Sequence, residues 1–294
     1  MKRLHDLKDV QEMIRRGAPL AIAGDESLLR QLPKGNWIGG SIPYFVADEG
    51  GVCTREKLYV TELPAGVTQV SIKTYDPTTV ERVYAEAPEN GFSLIVIPAS
   101  SPTHLAFALR APSFDRFAQS PLIGWISGVL VSDLGKVTPK VFAGTEARPL
   151  EDGAVVMHVQ LPKDKVCELG IVNIFRPGEG EDIVFLEDGF SAQEAEVGGK
   201  RVNFAEYCQA KKIDTRLPLV ADYYGASINV SFQKVDAAQG KVDFYAPVFR
   251  KVQYRFAKPV SDYVSEFTQQ TPKGVQVAFS CNCILNYLYS EARG

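Results

Sequence analysis

Short runs of β-branched and aromatic residues recur along the whole 294-residue chain and constrain its fold more than any other feature. Gly, Pro, Asp and Asn bound these runs, as is typical of strands joined by turns. Segments whose apolar residues have helical spacing alternate irregularly with these runs. They indicate about five helices, against about a dozen strands. In a parallel sheet built from alternating strands and helices, these elements would follow one another regularly along the sequence. The sequence therefore predicts an α+β or mixed α/β fold, with largely antiparallel sheets packed against about five helices.

Some segments give sharper predictions than the rest. Residues 92–101 form a continuous apolar run, which indicates a central strand. Residues 76–90 begin with Asp-Pro and carry apolar residues at helical spacing, which indicates a helix. Residues 167–175 have strand composition. The residues 237–240, "AAQG", join two strand-like runs and predict a hairpin.

Composition excludes several classes of partner. The net charge of −3 and the absence of any Lys/Arg cluster give no basis for nucleic-acid binding. No apolar run approaches the roughly 18 residues of a membrane helix. The first residues form a charged amphipathic pattern rather than a signal peptide, so we expect a cytoplasmic protein that does not enter a membrane. In a cytoplasmic protein, the cysteine count of five argues against a disulfide framework.

The motifs of common catalytic and cofactor sites are missing. The chain has no phosphate-binding glycine loop, dinucleotide fingerprint, serine nucleophile elbow or zinc-protease motif. Its histidines, His5, His104 and His158, lie far apart, and each is expected to be structural or exposed. We therefore expect neither a cofactor nor a metal, although a Cys–His dyad remains open because its partners meet in space.

The cysteine pair near the end of the chain is one candidate site. An alternating run over residues 274–280 predicts a strand, and residues 282–291 predict a helix. If Ser280 caps that helix, free amides there would favour an anion or a thiolate. Three interpretations remain open: simple packing, a ligand-binding turn, or a reactive cysteine. The ligand-binding turn would consist of Ser280, Cys281, Asn282 and Cys283.

Two segments rich in aromatic residues and glycine are the other candidate site, as the lining of a ligand pocket. Trp37 precedes Gly39 and Gly40, and Trp125 lies between glycines 124 and 128. Such glycines let the backbone approach either a flat ligand or a neighbouring strand. With Tyr44, these residues are our candidate pocket wall. The segments "WIGGSIPYFV" and "IGWISGVLVS" echo each other weakly, without a tandem repeat of 20–50 residues.

Several phrases in order resemble the FIST (F-box and intracellular signal transduction) domain family. They are "SPLIGWISG", "KVFAGTEARPLEDGAVVMHVQL", "LGIVNIFRPG", "NFAEYCQAKKIDTRLPLVAD" and "GVQVAFSCNC". The resemblance implies an N-terminal half over residues 1–197 and a C-terminal half over residues 198–294. It also implies a sensory module that binds a small ligand, with amino acids as candidates.

The function expected from the sequence is small-molecule binding of a sensory type, without catalysis. Amino acids and small carboxylates are the candidate ligands. The alternative is a cysteine-dependent hydrolase or transferase that uses Cys281 or Cys283, with His104 or His158 close to that cysteine. An interaction module that offers an edge strand from residues 226–257 is a third class, and a homo-oligomer remains open.

Overall fold

The computed structural model describes residues 3–47, 50–117, 119–146, 148–223, 226–272, 274 and 277–283. Contacts divide the chain into a first unit, Met1–Gly170 with Gly274–Gly294, and a second unit, Ile171–Lys273. Helices and mostly antiparallel sheets make up both units, so the predicted α+β class is confirmed.

The first unit contains twelve strands and three α-helices among the described residues. In chain order they are β1 (Leu4–His5), α1 (Leu7–Arg15), β2 (Leu20–Gly24), α2 (Glu26–Leu29), β3 (Trp37–Ser41), β4 (Tyr44–Ala47), β5 (Gly50–Cys53), β6 (Leu58–Glu62), β7 (Gln69–Tyr75), β8 (Gly91–Pro98), α3 (Pro102–Arg110), β9 (Leu122–Ser127), β10 (Val141–Ala143), β11 (Arg148–Leu150) and β12 (Ala154–Gln160).

These elements form four layers. One sheet has the order β1-β6-β2-β3-β10-β11, and a second has the order β7-β12-β8-β9. Helices α1 and α2 cover the outer face of the first sheet, and the inner faces of the two sheets pack together. Helix α3 and a 3-10 helix at Val80–Arg82 cover the outer face of the second sheet. Each sheet therefore buries both faces, which explains its long apolar runs.

Each of these two sheets contains one parallel pair built from a strand–helix–strand segment. In the first sheet, β2 leads through α2 to β3, and Leu20 lies opposite Trp37. In the second sheet, β8 leads through α3 to β9, and Ser93 lies opposite Leu122. Strand β8 lies between β12 and β9, so the predicted central strand is confirmed.

The second unit is richer in antiparallel strands. In chain order its elements are β13 (Ile183–Phe185), β14 (Gly189–Ala192), β15 (Glu194–Val197), β16 (Lys200–Asn203), α4 (Phe204–Ala210), β17 (Leu219–Tyr223), β18 (Ala226–Val230), β19 (Phe232–Asp236), β20 (Lys241–Val248), β21 (Gln253–Phe256) and α5 (Tyr263–Gln270).

A single aromatic-rich core holds the second unit together. Its larger sheet has the order β16-β15-β13-β21-β17-β18, and its smaller sheet has the order β14-β20-β19. The Phe185 ring lies within 5.6 Å of the rings of Phe204, Phe244 and Tyr254, centroid to centroid. Strands β19 and β20 pair antiparallel across residues 237–240, which confirms the predicted hairpin.

Three predicted helices or strands differ from the structure. The predicted helix over 76–90 contains only the 3-10 helix and turns. Residues 167–175 form no strand, because no neighbouring strand pairs with them in the part of the chain that is described. The described residues 277–280 lack the predicted strand, and residues 284–291 of the predicted last helix lie outside the described residues.

The boundary predicted between residues 197 and 198 falls inside the second unit. There, Val197 pairs with Lys200 across a two-residue turn between β15 and β16. Gly198 and Gly199 adopt φ values of +57° and +77°, as a tight hairpin of this kind requires. The Gly-Gly pair is therefore a hairpin turn rather than a linker, and the first division of the chain lies between residues 170 and 171.

Candidate functional site

The carboxyl ends of the two parallel pairs meet in the first unit. The Gly128 amide donates to the Ser41 carbonyl at 2.7 Å, and the Ser41 hydroxyl donates to the Gly128 carbonyl at 2.9 Å. The Ala99 amide, just after β8, donates to the Ser127 carbonyl at 3.1 Å. The carboxyl ends of parallel strands are where α/β sheets commonly bind ligands. We call the region formed by Gly40, Trp125 and Ser127 the strand-end site.

Two buried polar atoms at the strand-end site have no hydrogen-bond partner within the described part of the chain. They are Nε1 of Trp125 and Oγ of Ser127, on side chains two residues apart on one face of β9. A methyl group at Gly40 would lie 3.2 Å from the Trp125 nitrogen and 3.0 Å from Ser127 Cβ. Both side chains are therefore beside Gly40 of β3, and each unpaired polar atom carries a penalty of about 1–3 kcal/mol.

The hydroxyl of Ser41 has the hydrogen-bond partners that the hydroxyl of Ser127 lacks. Both serines end the second strand of a parallel pair. The Ser41 hydroxyl donates to the Gly128 carbonyl and accepts from the Lys140 amide at 2.9 Å, so both of its functions are used. Lys140 directly precedes β10, which flanks β3, whereas β9 is the edge strand of its sheet. The unpaired state of Ser127 therefore follows from the missing neighbour of β9.

Two other buried hydroxyls, Thr103 Oγ1 and Ser120 Oγ, also lack a partner among the residues described. Thr103 is fully buried in the first turn of α3, which begins beside the carboxyl end of β8. Ser120 precedes the amino end of β9 and so lies at the opposite end of that strand. Ser120 is therefore a natural comparison for Ser127.

The C-terminal segment covers Trp125. The Phe279 ring stacks on the Trp125 ring at a centroid distance of 6.1 Å and an interplanar angle of 22°. Residues 277–283 belong to no helix or strand, and apart from Phe279 they are exposed. The strand-end site therefore has a rigid wall on β3 and β9 and a cover of irregular chain.

The structure separates the two aromatic and glycine segments by face. Trp37 and Gly39 point to the helix side of β3, where Trp37 is fully buried and donates to the Pro33 carbonyl at 2.8 Å. Gly40 points to the second sheet and meets Trp125. Tyr44 accepts a hydrogen bond from the Val131 amide at 3.1 Å, in the segment after β9. Trp37 and Gly39 therefore share no surface with Trp125.

The described part of the cysteine turn does not activate the Cys281 thiol. Ser280, Cys281, Asn282 and Cys283 are exposed and form no helical turn. Although Cys281 is an exposed residue, burial of its thiol and the neighbouring Cys283 raise the pKa of that thiol to about 11. A thiol with a raised pKa is protonated near pH 7 and is a poor nucleophile.

His104 lies beside a strained serine. Ser100, which is exposed, has a φ of +61° in the turn between β8 and α3, and a serine in such a turn could serve as a nucleophile. However, Nδ1 of His104 accepts the Ser100 amide at 3.1 Å, so this lone pair is not available to a hydroxyl. The Thr103 and His104 amides donate to Asp152 and Ser101, which leaves neither as an oxyanion donor.

His158 belongs to a directed chain of buried hydrogen bonds. The Lys73 ammonium lowers the pKa of the Glu86 carboxyl, which therefore accepts from the Tyr75 hydroxyl at 3.0 Å. Tyr75 must then accept from Nε2 of His158 at 2.9 Å, and Nδ1 accepts from Ser93 at 2.7 Å. Burial, with a smaller contribution from Lys73, lowers the pKa of His158 to about 4. This neutral histidine has a structural role, because its hydrogen-bond partner Ser93 is also fully buried.

The second unit has a shallow hollow of about 230 Å³ at the end of α4. It is lined by Cys208, Gln209, Lys212, Ile213, Thr215, Val235 and Ala237. Burial raises the pKa of the Cys208 thiol to about 12, so this cysteine is an inert packing residue.

Sequence reasoning missed Ser127, Ser41 and Thr103. A serine at the end of a strand carries no signal of its own, since its hydrogen-bonding state depends on which strand lies beside it. The echo of "WIGGS" (37–41) and "IGWIS" (123–127) was the available signal. These segments are β3 and β9, the second strands of the two parallel pairs.

The comparisons with known proteins give one family. A model of a "family of unknown function (DUF6976)" matches residues 5–294. No curated protein and no solved structure matches the chain. No described helix is long and apolar enough to cross a membrane. The described residues also hold no group of three or more His, Cys, Asp or Glu side chains that could bind a metal ion.

Proposed function

The chain belongs to the DUF6976 family, and we propose that it binds a small molecule at the strand-end site, without catalysing a reaction there. One observation carries the proposal: the buried Trp125 Nε1 and Ser127 Oγ belong to side chains on one face of β9, and neither has a partner among the described residues. Buried polar groups are normally satisfied, so an unsatisfied pair at the carboxyl ends of parallel strands calls for a specific reason. A bound ligand that supplies the missing partner is such a reason.

A binding function fits the surrounding residues better than a cysteine-dependent enzyme does. The Cys281 thiol has a raised pKa, and the Nδ1 lone pair of His104 is engaged by a backbone amide. Nucleophilic catalysis needs an activated nucleophile and a base with a lone pair directed at it. Neither requirement is met by these two residues.

The cover formed by residues 277–283 supports a sensory type of function. A ligand that bonds to Trp125 would lie next to Phe279, which stacks on the same ring. Binding would therefore bias the position of an irregular segment, which is how a ligand shifts the balance between two states of a protein. The resemblance to FIST domains implies the same type of function and stays a prediction.

The first experiment compares Ser127→Ala with Ser120→Ala in a thermal-shift screen against small polar compounds. Each substitution removes a buried unpaired hydroxyl, so we expect each unliganded variant to be more stable by about 1 kcal/mol. We expect Ser127→Ala to lose the rise in Tm that a ligand gives to the unsubstituted protein. Ser120→Ala keeps that rise, because Ser120 lies at the other end of β9.

Fluorescence gives a second readout of the same site. The chain has two tryptophans, so Trp37→Phe leaves Trp125 as the single emitter. A stabilising compound should change the emission of Trp125 in this variant, since it bonds to the indole or displaces Phe279. A compound set that stabilises Ser127→Ala as much as the unsubstituted protein would show that the strand-end site binds no ligand.

A further inference from the structure

We infer that the ligand of the strand-end site is a neutral molecule that presents a carbonyl-type acceptor oxygen, rather than an anion. This inference rests on the proposed function and adds the chemical class of the ligand. It also replaces the carboxylate expected from the cysteine turn, which is a different part of the chain.

The unpaired groups require an acceptor. The indole N–H of Trp125 can only donate a hydrogen bond, and the Ser127 hydroxyl can donate as well as accept. A carbonyl oxygen has two lone pairs and can therefore accept from both groups. The two side chains lie on one face of β9, so one ligand that presents an acceptor oxygen is the simplest partner for both groups.

Lys140, which is linked to the strand-end site, is already neutralised. Lys140 is joined to the site through its own amide, which donates to the Ser41 hydroxyl. Its ammonium donates to the Thr138 carbonyl at 2.9 Å and pairs with Glu151 at 3.0 Å and Glu26 at 3.8 Å. With two carboxylates around it, Lys140 offers no excess positive charge to a bound anion.

The start of helix α3 already holds its own carboxylate. Oδ1 of Asp152 accepts from the Thr103 amide at 3.0 Å and from the Gly153 amide at 2.8 Å. The Ser101 hydroxyl accepts the His104 amide. The donors that would attract an anion to a helix start are therefore occupied, and the charge of Asp152 repels a second carboxylate.

An anion would consequently lose its hydration without gaining either Lys140 or the start of α3 as a positive partner. Burial of an unpaired carboxylate is strongly unfavourable, whereas a neutral carbonyl that gains two hydrogen bonds is buried at little cost. This difference decides the class: amides, lactams, ketones and related neutral compounds fit the site, and carboxylic acids do not.

The test uses the full chain and pairs of probes that share one skeleton. Each pair consists of an amide and the corresponding carboxylic acid, such as benzamide with benzoate and nicotinamide with nicotinate. The thermal shift is measured at constant ionic strength and neutral pH, in the unsubstituted protein, Ser127→Ala and Ser120→Ala. Trp125 emission in Trp37→Phe provides the second measurement.

We expect at least one amide to raise Tm and to change Trp125 emission, with no effect of its acid. The amide effect should vanish in Ser127→Ala and persist in Ser120→Ala. An acid that stabilises as well as its amide, with both effects lost in Ser127→Ala, would overturn the neutral class and keep the proposed binding function. If no probe acts, or if Ser127→Ala responds like the unsubstituted protein, both the class and the proposed function are wrong.

Discussion

His158 links a buried residue to the dependence of stability on pH. Its pKa is about 4 in the folded protein, against about 6.5 in an unfolded chain. The unfolded state therefore binds more protons between these values, and the folded state is favoured most fully above pH 6.5. As the pH falls from 6.5 to 4, we expect this residue alone to remove up to about 3 kcal/mol of the free energy of unfolding.

Chemical denaturation across this pH range measures the effect, with His158→Gln as the comparison. Glutamine does not titrate and keeps a donor for Tyr75, so the variant should lose the part of the pH dependence that His158 contributes. Acidic side chains with lowered pKa values, such as Glu86, still titrate in both proteins. Equal slopes for the two proteins between pH 4 and 6.5 would mean that His158 is not held neutral.

Single residues were predictable from the sequence in their type and less so in their role. Gly39 and Gly40 indicated a close approach of the backbone, and both have close neighbours. A methyl group at Gly39 would meet the Ile22 carbonyl, whereas one at Gly40 would meet the second sheet. Adjacent residues of a strand point to opposite faces, so their separate partners depend on the sheet order, which the sequence does not reveal.

At the scale of elements, the approach of β3 to β8 and β9 sets the strand-end site. A methyl group at Gly40 would lie 2.6 Å from Val96 Cγ1 and 3.0 Å from Ser127 Cβ. We therefore expect Gly40→Ala to lower the free energy of unfolding by about 1–3 kcal/mol through overpacking. Gly170→Ala is the matched control, because a methyl group at Gly170 would meet nothing within 4 Å.

Urea denaturation of both variants measures this difference. If Gly40→Ala is as stable as Gly170→Ala, the two sheets have room for an extra carbon at this point. The strand-end site would then be looser than the distances at Gly40 indicate. Ligand binding by Gly40→Ala should also weaken, since the added methyl group lies 3.2 Å from the Trp125 nitrogen.

Helices and strands were predicted well where the pattern of buried residues and the backbone hydrogen bonds indicate the same element. The residues Val80, Val83, Tyr84 and Ala87 suggested a helix. Val80, Val83 and Tyr84 are buried in one cluster, and Ala87 is also buried. A 3-10 turn places residues three apart on one side as an α-helix does, so the spacing reports burial without fixing the hydrogen bonds. Residues 167–175 failed for the opposite reason. Leu169 and Ile171 are 48% and 72% exposed, and strand propensity cannot supply a pairing partner.

For the whole molecule, long-range pairing decided what the sequence could not. Strands β2, β3 and β10 belong to one sheet although β10 lies far along the chain, and β12 inserts between β7 and β8. Local pattern gave the α+β class and most strand positions, because both come from residues near in sequence. The meeting of the two parallel pairs depends on contacts between distant segments, so the strand-end site could not be predicted from the sequence.

The division of the chain predicts which fragment folds. Residues 171–273 contain every strand of the two sheets of the second unit and its aromatic core, so we expect this fragment to unfold cooperatively with fixed near-UV circular dichroism. A fragment of residues 198–294 lacks β13, β14 and β15, and with them Ile183 and Phe185 of the core. Strand β21 would then keep only β17 as a partner.

We therefore expect this shorter fragment to lack a cooperative transition and to bind a hydrophobic dye. Because Phe185 contacts three other rings of the core, its loss alone removes the centre of the aromatic packing. Cooperative unfolding of 198–294, together with a non-cooperative 171–273, would place the boundary at the Gly198-Gly199 turn after all.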